Sequence, residues 1–214
     1  MITAMSDANA MRPAKSSTGE HLCRIVLTGG PGGGKTTAAD MFRREIGDRV
    51  VVVPEAATML FAGGFPRTEE SEARRAAQRA IYQVQRNLED LQSVRFPGRV
   101  LLCDRGTVDG GAYWPGNDGG VDFFTAVGTS MELELARYDA VIFFETAAVG
   151  NFSIETGNPT RTESNARAIE LDGRLRALWQ NHPQFVLVKH NHSFMAKIFE
   201  GLHVLGELMR RFTQ

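Results

Sequence analysis

Five short segments of the chain are almost continuously apolar: residues 23–28 (CRIVLT), 50–54 (VVVVP), 99–104 (RVLLCD), 139–144 (DAVIFF) and 185–189 (FVLVK). A strand with one wet face alternates apolar and polar positions. Runs without that alternation predict strands covered on both faces, as in a parallel sheet between two layers of helices. Between the runs the apolar spacing lengthens to that of a helix. Thr68, followed by Glu69, Glu70 and Glu72, predicts a helix start, and Ala77, Ile81, Val84, Leu88 and Leu91 continue at steps of four and three, a stripe that should face the core. Near the end, Ile198, Leu202, Leu205, Met209 and Phe212 repeat the spacing behind an expected cap at Ser193, which predicts a helix packed on the sheet. No internal repeat and no linker divides the chain.

The stretch directly after the first apolar run, GGPGGGKTT over residues 29–37, breaks both periodicities. Gly29-x-x-x-x-Gly34-Lys35-Thr36 fits the phosphate-binding loop pattern, and a helix-compatible segment, Thr36 to Ile46, follows it. Glycines let backbone N–H groups of Gly30, Gly32, Gly33 and Gly34 turn inward around phosphate oxygens, and the helix adds the positive end of its dipole. Lys35 is expected to reach the β- and γ-phosphates, Thr36 to coordinate Mg²⁺, and Thr37 to contact the α-phosphate. Such a site also needs an acidic group for the metal. Asp104, which ends the third run, is preferred over Glu145, which ends the fourth; Glu145 could instead be a hinge at the end of the strand or a base that activates water. Asp109 is expected either to support the metal site, to bind an acceptor, or to be a solvated loop carboxylate.

Length and charge narrow the function classes. A chain of 214 residues with a formal charge of −1, 23% charged and 43% hydrophobic residues suits one soluble globular domain without the positive excess of nonspecific nucleic-acid binders. No apolar run approaches the roughly 18 residues that cross a bilayer, and residues 1–20 lack the apolar centre of a secretion signal. Residues 1–20 are therefore expected to be a disordered tail before one domain over 21–214, with no membrane partner. Cys23 and Cys103 sit beside apolar runs and are expected to be reduced core residues in a cytoplasmic protein.

The motifs GGPGGGKTT, VVVPEAA, LLCDRGTVDGGAYW and NPTRTE together resemble a family of small bacterial P-loop proteins loosely labelled AAA-domain ATPases. They are similar, more distantly, to the P-loop small-molecule kinases that include nicotinamide riboside kinase and the deoxynucleoside kinases. The resemblance implies a three-layer α/β P-loop NTPase with a five-stranded parallel sheet of order 2-3-1-4-5. By the same resemblance, Glu55 is a base toward an acceptor hydroxyl, and Asp104-Arg105 is the acidic residue and arginine that end the third strand; the alternative for Glu55 is a strand-end carboxylate paired with Arg105. Gly106 stands where the deoxynucleoside kinases carry serine, and Ala56-Ala57 replace a fuller proline-flanked motif, so the resemblance leaves open whether the acceptor is a nucleoside.

Phosphoryl transfer needs positioning and charge stabilisation, and the remaining polar stretches offer both. The segment near 146–167 resembles a lid, in which Arg161 and Arg167 flank an expected helix start at Thr162 or Ser164 and either meet the γ-phosphate or are ordinary surface arginines. Tyr113 and Trp114, with Phe61 and Phe65, are candidate aromatic walls for an acceptor. KHNHSF follows the fifth run, where Asn191 could contact adenine; His190 and His192 have no ligand-spaced partners for zinc. The Asn-Lys-x-Asp signature of guanine-specific proteins is absent, so ATP is favoured while GTP stays open. The expectation is a kinase that transfers the γ-phosphoryl group of Mg-ATP to a small hydroxyl-bearing metabolite. An ATPase and a nucleotide-dependent regulatory module are the alternatives, and the acceptor and oligomeric state are left open.

Overall fold

In the computed structural model, residues 23–116, 122–150 and 164–212 are described. The strands are β1 (Arg24–Thr28), β2 (Val50–Val53), β3 (Val100–Asp104), β4 (Ala140–Phe144) and β5 (Phe185–Val188). The helices are α1 (Lys35–Ile46), α2 (Ala56–Ala62), α3 (Ser71–Arg95), α4 (Gly110–Tyr113), α5 (Phe123–Ala126), α6 (Met131–Leu135), α7 (Asn165–Trp179) and α8 (Phe194–Phe212). All four strand pairings are parallel and the sheet order is β2-β3-β1-β4-β5. The expected α/β architecture and strand order both hold.

Successive residues of a strand point to opposite faces, and this sorts the apolar runs into two cores. Ile25, Leu27, Leu102, Ile142 and Phe144 pack with Phe42 of α1 and Ile198, Leu205 and Met209 of α8. Val26, Leu101, Cys103 and Val141 pack on the other face with Trp179 of α7, and Leu88 of α3 leans against them. Every residue of β3 and β4 is buried, which is why those runs carry no polar alternation. Ser193 caps α8 as expected, its hydroxyl accepting from Ala196 N–H at 3.2 Å. Cys23 and Cys103 are buried and free.

Helix α3 departs from the sequence reading. It begins at Ser71 behind Glu70, while Thr68 lies upstream and its hydroxyl accepts from the Glu70 N–H. The buried ridge is Ala77, Tyr82, Gln85 and Glu89; Leu91 is 51% exposed. Two polar groups share the buried face with part of the apolar stripe because each finds partners there. Glu89 accepts from the Tyr138 hydroxyl and from Arg137, both at 2.7 Å. Gln85 donates to Glu89 and to the Arg105 carbonyl at 3.3 and 3.2 Å. Paired in this way, buried polar groups cost far less than isolated ones. Residues 1–20, Arg161, Thr162 and most of the segment read as a lid lie outside the described residues.

Candidate functional site

At the carboxyl ends of the strands, β1 turns into the glycine loop and then α1. Gly29 has φ 130°, and a Cβ there would stand 2.0 Å from the Phe144 carbonyl oxygen, so no other residue fits. Gly34 has φ 90° and serves as the N-cap of α1, which has no side-chain cap, leaving first-turn N–H groups open to an anion. Side chains hold the loop's carbonyls. Lys35 Nζ donates to Gly29 O and Gly30 O, both at 2.8 Å, and Arg105 Nη1 donates to Gly29 O at 2.9 Å. Thr146 Oγ1 donates to Pro31 O, and Lys197 Nζ to Gly33 O at 2.8 Å and to Glu145 O. Two loop amides are also engaged: Gly30 N–H donates to Asp172 Oδ1 at 2.8 Å and Gly33 N–H to Gly30 O at 3.2 Å. Gly30 and Gly33 thus give the loop room for close approach, while Gly32, Gly34 and the first turn of α1 keep amides for a ligand.

Beside the loop, Thr36 Oγ1 donates to Asp104 Oδ2 at 2.8 Å. Asp104 Oδ1 is buried and has no hydrogen-bond partner. Burial and the nearby Glu55 push the Asp104 carboxyl up to about 6, against the pull of Lys35, the Thr36 hydroxyl and Arg105. An unsatisfied carboxylate oxygen next to a threonine hydroxyl at a phosphate loop suits a hard divalent cation such as Mg²⁺, which takes few protein oxygens and fills its remaining positions with water and phosphate. Lys35 is buried, and desolvation with the Arg105 charge pushes its ammonium down to about 7, although Asp104, Glu55 and Asp109 oppose the shift.

Across the site, Glu55 at the start of α2 pairs with Arg105 Nε at 3.2 Å and accepts from the Thr58 hydroxyl at 2.6 Å. Burial raises the Glu55 carboxyl, but Arg105, the Thr58 hydroxyl and Lys35 outweigh it and hold it below its ordinary value. Arg105 adopts φ 79°, in the left-handed region that a side chain rarely takes. Its guanidinium gains three acceptors there: Glu55, Asp109 and Gly29 O. Asp109 accepts as well from Thr28 Oγ1 at 2.8 Å and from Trp179 Nε1 at 2.6 Å. It is a buried anchor for Arg105 rather than a solvated loop carboxylate. A cavity of about 1390 Å³ runs through the site, touching Lys35 and Thr36 on one side and Glu55, Phe61 and Tyr113 on the other.

Residues 24–194 match the family described as the AAA domain. The chain belongs to this AAA-domain family. No curated protein matches it. Among solved structures, this AAA-domain protein is similar to the deoxyadenosine kinase from M. mycoides with bound dATP, with 13% sequence identity and a TM-score of 0.60 over 86% of this chain and 99% of that one. At that identity the likeness is one of fold, and the fold is that of a P-loop NTPase.

Within the AAA-domain protein, Lys35, Thr36, Asp104, Glu55 and Arg105 come together, and Thr37, Asn191 and Arg167 line the same cavity. Arg167, in the first turn of α7 behind the Ser164 cap, pairs with Glu170 at 2.6 Å. Asn191 Oδ1 accepts from Ser193 N–H at 2.9 Å. Trp114 does not join the wall: it is 7% exposed and packs with Tyr82 and Phe123. Phe65 is exposed and away from the cavity lining. Glu145 also lies off the cavity, its carboxylate accepting from His190 N–H at 2.8 Å. Thr146, Asp172, Lys197 and Gln85 were missed from sequence. Asp172 did leave a signal, since it shares the buried face of α7 with Ala168, Leu171, Leu175 and Trp179. A carboxylate on an apolar stripe implies a buried donor waiting for it.

Proposed function

We propose that this protein binds Mg-ATP at the glycine loop and transfers the γ-phosphoryl group to a hydroxyl of a small metabolite. The observation that supports it most is Glu55, a carboxylate kept ionised by Arg105 and facing the same cavity as Lys35. A general base must be ionised and within reach of the proton it accepts. At about 1390 Å³ the cavity also exceeds the roughly 300–1,000 Å³ that one small ligand fills, which leaves room for an acceptor beside a nucleotide.

In this reading the amides of Gly32, Gly34 and the first turn of α1 hold phosphate oxygens, and Lys35 turns from the loop carbonyls to the β- and γ-phosphates. Mg²⁺ held by Thr36 and Asp104 would neutralise charge on those phosphate oxygens. The acceptor oxygen attacks the γ-phosphorus as the bond to the β–γ bridging oxygen breaks, ADP leaves with that electron pair, and Glu55 takes the hydroxyl proton. Arg105 and Arg167 lower the cost of charge at the transferring group. Phe61 and Tyr113 form the acceptor's walls, and Asn191 faces the base. Arg161 is assigned the same role on its place in the sequence. The reaction suits a cytoplasmic protein of one domain, with ATP favoured over GTP.

The test is ATP consumption with and without a panel of hydroxyl-bearing metabolites. One metabolite should stimulate turnover well above the basal rate, and Glu55→Gln should lower that transfer about a hundredfold or more with Mg-ATP affinity little changed. Steady hydrolysis indifferent to every metabolite, or equal losses of rate and affinity, would remove Glu55 from the role of base.

A further inference from the structure

Two side chains outside the glycine motif fix how its peptides are turned. A trans peptide unit is planar, so its C=O and the next residue's N–H point in opposite directions. The Pro31 carbonyl is held by Thr146 Oγ1, just beyond β4, and the Gly33 carbonyl by Lys197 Nζ from α8. The N–H groups of those same two units belong to Gly32 and Gly34, so both are directed away from Thr146 and Lys197. Both residues line the cavity and both have positive φ, 76° and 90°. Glycine peptides in such conformations rotate at little steric cost, so an outside restraint decides their orientation.

Resting on the Mg-ATP reading above, we propose that Lys197 and Thr146 are positioning residues of the phosphate site, which turn the Gly32 and Gly34 amides toward the phosphate oxygens and hold them there. Lys197 is suited to it because it is 3% exposed and bridges two fixed acceptors, the Gly33 and Glu145 carbonyls. Its stem is packed, with the ammonium 5.8 Å from the centre of the Phe144 ring. Lys35 acts differently: it exchanges carbonyl partners for phosphate, whereas Lys197, which also borders the cavity, keeps its bonds to the Gly33 and Glu145 carbonyls. At the other end of the loop Asp172 takes the Gly30 amide and, through the same Oδ1, the Thr146 N–H at 2.8 Å, so that α7 fixes the residue that holds Pro31. Amides already oriented before binding need no reorganisation when the anion arrives, and this raises affinity for the phosphates alone.

The test measures binding of Mg-ATP, inorganic pyrophosphate and adenosine to the full chain and to Lys197→Met, Thr146→Val and Thr146→Ser, by calorimetry. Lys197→Met and Thr146→Val should each weaken Mg-ATP and pyrophosphate about tenfold or more, with adenosine unaffected, since a charged or buried hydrogen bond of this kind is worth about that factor. Thr146→Ser keeps the hydroxyl and should stay within about twofold of the parent. Unchanged pyrophosphate binding in folded Lys197→Met and Thr146→Val overturns the proposal, and so does an equal loss for adenosine, which would mean general damage. Should Lys197→Met fail to fold, the contrast between Thr146→Val and Thr146→Ser decides it. A parent chain that binds neither Mg-ATP nor pyrophosphate would instead overturn the reading of the site as a phosphate loop.

Discussion

Lys35 meets two opposed demands. A phosphate site needs its ammonium, but burial beside Arg105 disfavours that charge and lowers the group from an ordinary 10.5 to about 7. Between those two values the unfolded chain binds a proton that the folded chain lacks, so folding stability rises with pH from about 7 to about 10.5. Lys35→Met should remove its share of that rise and flatten the part between about pH 7 and 8, because methionine fills the same space with nothing to titrate, while buried Lys197, lowered to about 8, still contributes above that. Urea denaturation at pH 7, 8 and 9 checks it. The variant should match or exceed the parent in stability at pH 7, and it should bind no triphosphate. A variant that lost stability in parallel at every pH would mean that Lys35 serves the fold rather than the ligand. The glycine pattern made Lys35 legible in the sequence because its chemistry belongs to the backbone: only glycine tolerates φ 130° with a carbonyl 2.0 Å from where Cβ would stand. Lys197 and Asp172 had no such local mark. They meet the loop from 164 and 142 residues away, and only the packing of α7 and α8 brings them there.

At the level of elements, the strands were the easiest features to read because burial on both faces removes all alternation, as the fully buried β3 and β4 show. Helix α3 was harder. Its apolar stripe suggested one face, yet the structure turns Gln85 and Glu89 inward and leaves Leu91 half in solvent. Periodicity counts apolar residues and cannot foresee that a glutamate will find a tyrosine and an arginine 49 and 48 residues away. The price of that arrangement appears when one partner is removed. Glu89→Leu should cost about 1–3 kcal/mol, because it removes the shortest of the carboxylate contacts of Arg137 and leaves the Tyr138 hydroxyl with Thr107 alone. An unfolding free energy within about 0.5 kcal/mol of the parent would show that the existing pair with Glu134, at 3.5 Å, holds Arg137 without Glu89. The same helix carries Gln85 to the Arg105 carbonyl, so α3 both covers the sheet and supports the left-handed turn that aims Arg105 at Glu55.

The molecule as a whole sets its glycine loop and the Glu55 carboxylate on one cavity, at the edge where parallel strands end. Two ligands that share such a space stabilise the fold separately and then together. Anything that binds only the native state adds RT ln(1 + [L]/Kd), about 2.7 kcal/mol at a hundred times Kd. For a chain of this size that corresponds to a rise in Tm of roughly 5–10 °C. Mg²⁺ with a non-hydrolysable ATP analogue should therefore raise Tm by that amount. A true acceptor added to the complex should raise it again, and by more than the acceptor achieves alone, because the two ligands would lie in contact within one cavity. If every metabolite in the panel gave the same small shift with and without the analogue, the far side of the cavity would not be an acceptor site. A protein that uses the loop without a second substrate would behave that way: its whole thermal response would come from the nucleotide, and Arg105 and Glu55 would be an ion pair that closes the wall of a single-ligand pocket.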